Sequence, residues 1–128
     1  MIEGQADRLI AVVEDDDSAR CALGRLLEAG GFEAALFDSA ESFIKSRPPR
    51  DCLCLVLDIH LTGMSGIELQ QRLRAEGSRL PIVMVTGSRT DIVREHAEQA
   101  GCFAFLLKPF SAESLLGLLA SLAGQLPT

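Results

Sequence analysis

Short apolar runs alternate along this chain with longer segments whose apolar residues recur at helical spacing. Arg8 to Val13 (RLIAVV) is the first run, and four consecutive acids, Glu14, Asp15, Asp16 and Asp17, follow it. Ala19, Leu23, Leu26 and Leu27 then form a helical stripe that Gly30-Gly31 ends, with Asp16 or Asp17 able to cap it. Phe32 to Phe37 is a second strand, and Glu33 within it suggests a sheet edge. Asp38-Ser39-Ala40-Glu41 reads as a capping box opening a short helix that Pro48-Pro49 stops. Leu53 to Leu57 is unbroken apolar sequence running straight into Asp58, the pattern of a strand buried on both faces.

Beyond that strand, Ile67, Leu69, Gln70 and Leu73 belong to a helix that closes near Gly77. Pro81 opens a fourth run, PIVMV, which ends on Thr86-Gly87. A polar helix is expected from about Thr90 to Ala100, with Ile92, Val93, Ala97 and Ala100 inward. Cys102 to Leu107 is the fifth strand, ending on Lys108-Pro109, and Ser111 caps a last helix. Leu115, Leu116, Leu118, Leu119 and Leu122 cover more than one narrow stripe of that helix. The excess fits either a packing partner or a well-buried helix.

Strict alternation of strands with helices predicts one α/β domain over residues 8–124: a five-stranded parallel sheet with helices on both faces. In such sheets ligands bind beyond the carboxyl ends of the strands, where the strand order reverses.

Composition narrows the function. With 48% hydrophobic residues the chain is expected to fold, and its formal charge of −6 argues against nucleic-acid binding by this domain. No apolar run approaches the roughly 18 residues of a membrane span, and the N-terminus lacks the features of a signal peptide, so a cytoplasmic location is expected. Cys21, Cys52, Cys54 and Cys102 do not form zinc-ligand spacing and are expected to be buried, reduced thiols.

The strand ends carry the chemistry. Glu14-Asp15, Asp58, Thr86 and Lys108 should share one edge of the sheet. Burying an ionised carboxylate costs several kcal/mol unless compensated, so Asp58 is expected at the exposed end of its strand. Crowded carboxylates call for a cation, and Mg2+ suits an oxygen-only site. Asp58 can then act as nucleophile toward a phosphoryl group, with Lys108 and the Thr86 hydroxyl on the phosphoryl oxygens and Gly87 leaving room for them.

In order and spacing, VVEDD, VLDIHLTGMSG, VMVTG and FLLKPF resemble the receiver domain of bacterial two-component response regulators from about Leu9 to Leu122, with a spelling most similar to FixJ-type receivers. The resemblance implies strand order 2-1-3-4-5, the flavodoxin-like receiver fold. It implies phosphorylation at Asp58, Mg2+ on Asp15, Asp58, the His60 main-chain carbonyl and, through water, Glu14, and roles for Thr86 and Lys108 on the phosphoryl group. It further implies a cis Lys108-Pro109 bond and a switch in which Thr86 moves and Phe105 turns inward. The face so remodelled is built from the fourth helix, fifth strand and fifth helix.

A sensor histidine kinase or phosphotransfer protein is the implied donor, and a phosphorylation-dependent homodimer a possible output. Such a receiver catalyses its own phosphotransfer and dephosphorylation and is not a turnover enzyme. An Asp-nucleophile phosphatase and a phosphorylation-independent receiver-like module are the alternatives. The chain ends at Thr128, so no effector domain of about 60 residues is expected within it, and it is read as either a stand-alone receiver or a fragment of a longer regulator.

Some positions depart from the family pattern. Glu14 stands where Asp is frequent, and Leu61-Thr62 replace Met-Pro, so the loop after Asp58 loses a φ restraint. The His60 imidazole has three readings: metal ligand, influence on dephosphorylation, or exposed loop residue. His96 is expected at the surface.

Overall fold

Why the apolar runs are continuous is visible in how the sheet is covered. The computed structural model describes residues 8–46, 52–87, 95, 98–99 and 101–124. Strands β1 (Leu9–Val13), β2 (Glu33–Phe37), β3 (Cys54–Asp58), β4 (Ile82–Thr86) and β5 (Ala104–Leu107) form one parallel sheet in the order β2-β1-β3-β4-β5. Ile10, Val12, Val56, Val83 and Val85 face one side, against Leu23 and Leu27 of helix α1 (Asp17–Ala29) and Leu115, Leu119 and Leu122 of the C-terminal helix (Ala112–Gly124). Ala11, Val13, Leu55, Leu57 and Met84 face the other, against Phe43 of helix α2 (Ala40–Lys45) and Leu69 of helix α3 (Gly66–Ala75). Alternate residues of each inner strand thus serve two cores. Each fully buried leucine among them contributes about 1.5–3 kcal/mol.

β3 and β4 are buried at every position, whereas β2 and β5 are half-exposed, as edge strands are. The chain leaves β1 for β2 on one side and returns to β3 on the other, which puts the reversal of strand order between β1 and β3. Register aligns the strand ends there: Val13 pairs with Leu57, Asp58 with Val85, and Thr86 with Leu107.

Local chemistry sets the helix ends. Asp16 is the cap of α1, its carboxylate accepting from Ala19 N–H at 2.8 Å, while Asp17 sits in the first turn and pairs with Arg20. At α2 the capping box is one residue later than the sequence suggests: Ser39 and Ser42 bond reciprocally, and Glu41 is left free for another role. Ser65 and Glu68 make the corresponding box at α3. Ser111 Oγ accepts from Ser114 N–H as the C-terminal helix begins.

Gly30 ends α1 where a Cβ would overlap the Leu116 side chain, and Leu116 and Leu118 are half-buried against the first cluster. Much of the extra apolar surface of the last helix therefore packs within this domain. Cys52 and Cys54 are buried, and burial pushes the Cys54 thiol up to about 12. Cys21 departs from expectation: it lies exposed on α1. In the segment expected to form the fourth helix, the described residues Glu95, Glu98 and Gln99 are helical, and the inward stripe and His96 lie outside the described residues.

Candidate functional site

The acidic site begins where β1 and β3 run out. Glu14 directly follows β1, its N–H donating to the Phe37 carbonyl at 3.1 Å, and Asp58 is the last residue of β3. Asp58 does not stand at an exposed end. It is only 6% exposed and Glu14 1% exposed, so both carboxylates need compensation from the protein.

Each of their four oxygens meets one donor. Lys108 Nζ lies 2.6 Å from Glu14 Oε1 and 2.9 Å from Asp58 Oδ2. The His60 N–H donates to Asp58 Oδ1 at 2.9 Å, and the Asp16 N–H donates to Glu14 Oε2 at 3.2 Å. Burial still raises the Glu14 carboxyl above its ordinary value, opposed by the Lys108 ammonium and the Asp16 N–H. Burial would lower Lys108, but the bonds it donates to its two carboxylate partners outweigh that and raise it. Lys108 reaches inward from just beyond β5: its N–H donates to the Thr86 carbonyl at 2.8 Å, and the Lys108-Pro109 peptide is cis.

Asp15 is held differently. Thr62 donates both its N–H and its hydroxyl to Asp15 Oδ2, each at 3.1 Å. Burial would raise the Asp15 carboxyl, yet these donors bring it below its ordinary value. Among the described residues, Glu14, Asp15 and Asp58 each offer a carboxylate oxygen within 4.8 Å of the others. Three carboxylates against one ammonium leave a deficit of two positive charges, and every donor is a hard oxygen. That donor set fits a divalent ion of the Mg2+ type.

Thr86 ends β4 one residue beyond the partner of Asp58 and is buried, while among the described residues nothing lies within 4 Å of a Cβ placed at Gly87. Phe105 lies on β5 beside Met84, half-buried against the cluster that contains α3. The sequence thus brings Glu14, Asp15, Asp58, Thr86 and Lys108 to one edge, with Phe105 farther along the sheet. The His60 imidazole is exposed, and its described contact with the site is through the main chain.

The loop after Asp58 lacks the φ restraint of a proline but has another source of order. Alternate amides are tied to carboxylates: His60 to Asp58, Thr62 to Asp15, and Met64 to Glu41 Oε2 at 2.9 Å. Gly63, at φ 82°, passes Glu41 so closely that a Cβ would come within 2.7 Å of Oε2. Gly66 donates to the Ile59 carbonyl at 2.9 Å, and a Cβ there would overlap the Asp58 carbonyl oxygen. Glu41 and the Thr62 donors carry no local sequence signal, because their partners lie 23 and 47 residues away.

Residues 10–120 match the family model of the response regulator receiver domain. The chain is 35% identical over 116 residues to the transcriptional regulatory protein FixJ of Bradyrhizobium diazoefficiens, covering 91% of this chain and 57% of FixJ. The crystal structure of FixJ-N superposes with a TM-score of 0.83 at 27% identity, covering 94% of this chain and 96% of that one. The response regulator StyR superposes with a TM-score of 0.79 at 41% identity, covering 91% and 59%. The chain spans about half the length of the curated relatives it matches.

Proposed function

The chain belongs to the response regulator receiver domain family, and from that premise we propose that Asp58 accepts a phosphoryl group from a sensor histidine kinase or phosphotransfer protein. Residues 8–124 are the receiver, and its modified state controls an output domain or partner. The observation that carries the reading is the placement of Asp58: a buried carboxylate at the switch point, 2.9 Å from Lys108 and clustered with Glu14 and Asp15.

Chemically, one Asp58 oxygen attacks phosphorus as the P–N bond of a phosphohistidine donor breaks, and the product is an acyl phosphate. Glu14, Asp15, Asp58 and the His60 main-chain carbonyl would hold Mg2+, Glu14 through water, and the ion would supply charge neutralisation at the phosphoryl oxygens. Lys108 turns from its carboxylates toward the new phosphoryl oxygens, and Thr86 donates its hydroxyl to one of them. Movement of Thr86 opens space for Phe105 to turn inward, which changes the face formed by β5 and the C-terminal helix. Phosphorylation drives the change by as much as it favours the second arrangement over the first.

Receivers are usually switches rather than turnover enzymes, and the family match favours neither the phosphatase nor the phosphorylation-independent alternative. Among the described residues no helix is long and apolar enough to cross a membrane. A net charge of −6 disfavours direct nucleic-acid binding by this domain. Phe103 and Leu107 expose apolar area at the β5 edge, which supports pairing of two copies on phosphorylation.

Incubation with acetyl phosphate and Mg2+, read by intact mass, tests the assignment. Wild type gains one phosphoryl group and Asp58→Asn gains none. An unchanged wild-type mass, with a kinase donor failing as well, would overturn it.

A further inference from the structure

We propose that Thr62 is a positioning residue for Mg2+: by binding one oxygen of Asp15 with two donors, it turns the other oxygen toward the cation. The inference rests on the reading of Asp15 as a metal ligand. Its own basis is the pair of bonds from Thr62 N–H and Oγ1 to the same atom, Asp15 Oδ2, at 3.1 Å each.

A carboxylate oxygen has two acceptor directions, so two donors saturate Oδ2 and leave Oδ1 as the better-placed ligand. Without them the carboxylate would rotate over the broad, nearly two-fold torsion of an aspartate side chain. Binding an ion would then require that freedom to be lost. Hydrogen bonds to metal-ligating groups typically change metal affinity by about 10–100-fold when removed, because they fix ligand orientation.

The donors are themselves fixed. On one side of Thr62 the His60 N–H is held by Asp58, and on the other the Met64 N–H is held by Glu41. The loop therefore presents Thr62 to Asp15 from a tethered backbone. A proline at this position has neither an N–H nor a hydroxyl and could supply neither bond. The replacement of proline by threonine, which by itself looks like a loss of order, gives this chain a support for Asp15 that proline cannot offer.

Calorimetric titration of the metal-free full chain with MgCl2 tests this on wild type, Thr62→Ser, Thr62→Val, Thr62→Pro and Asp15→Asn, each first checked for folding by circular dichroism. Wild type binds and Asp15→Asn loses most of its affinity. Thr62→Val, lacking one donor, weakens binding about 3–10-fold, Thr62→Pro, lacking both, about 10-fold or more, and Thr62→Ser stays within about twofold of wild type. Rescue by serine separates orientation of Asp15 from a merely steric role of the side chain.

Wild-type affinity in both Thr62→Val and Thr62→Pro would overturn the inference. Tighter binding in either would do the same, because it would mean that the Thr62 bonds compete with the ion. Failure of the wild type to bind Mg2+ would instead overturn the metal reading, and the role of Thr62 with it. If Thr62→Pro is unfolded, the comparison of Thr62→Val with Thr62→Ser decides.

Discussion

Lys108 Nζ lies 2.9 Å from Asp58 Oδ2, across a sequence separation of 50 residues, and the same ammonium reaches Glu14. The group assigned to the phosphoryl oxygens is also the counter-charge of the metal-free site. That dual use ties stability to metal.

Replacement Lys108→Met leaves two buried carboxylates without their cation. Removing one partner of a buried pair is strongly destabilising. Because the Lys108 side chain is 32% exposed, water screens part of the loss, and we expect about 1–3 kcal/mol. Millimolar Mg2+ should restore much of it. Urea unfolding of both proteins with and without Mg2+ checks this, and equal midpoints in metal-free buffer would refute the counter-charge role.

Gln70 offers a second test, away from the site. It is fully buried on α3, and among the described residues neither its amide nitrogen nor its amide oxygen has a hydrogen-bond partner. An unsatisfied buried polar group costs about 1–3 kcal/mol, so Gln70→Met, which keeps length and removes the polarity, should stabilise the domain by about that amount. A lower melting temperature for the variant would mean that the amide is satisfied in solution.

Two glycine replacements should have opposite signs. At Gly66 a Cβ would meet the Asp58 carbonyl oxygen and the Ile59 backbone, neither of which can swing aside. Gly66→Ala should therefore cost about 1–3 kcal/mol as α3 is pushed from β3. Gly117, within the C-terminal helix, has nothing among the described residues within 4 Å of its added Cβ. Gly117→Ala should stabilise by about 0.5–1 kcal/mol through helix propensity. Denaturant midpoints of the two variants give the comparison directly.

The Glu41 tether predicts a pH dependence. Its bond from the Met64 N–H holds the carboxyl below its ordinary value of 4.5. A depressed acid contributes its stabilisation above the unfolded value and loses it as pH falls through the folded one. The Met64 amide resonance should hence be constant at neutral pH and titrate with a midpoint below the ordinary carboxyl value, and Glu41→Gln should remove that titration. A Met64 shift centred near neutrality, or one that persists in Glu41→Gln, would contradict the tether.

Much of the fold was legible because it follows from local patterns. Unbroken apolar runs in β3 and β4 require burial on both faces, and alternation with helical segments requires a parallel sheet. The half-polar β2 fits an edge. Where two caps competed within one turn, as at Asp38 and Ser39, pattern alone chose the wrong residue by one position. The burial of Asp58 is hidden from local sequence for a different reason: the cost of hiding its charge is plain there, but the lysine that offsets it comes from 50 residues further along the chain.

The elements, their order and the set of acidic, hydroxyl and ammonium groups at the strand ends are written in local sequence, since each depends on neighbours a few residues away. Which donor meets which carboxylate follows from tertiary packing alone: Lys108 on Asp58 and Glu14, Thr62 on Asp15, the Met64 N–H on Glu41. These pairings depend on the packing of whole strands and loops against one another, and a hydrogen bond between residues 23 to 94 positions apart leaves no trace in the local pattern of either.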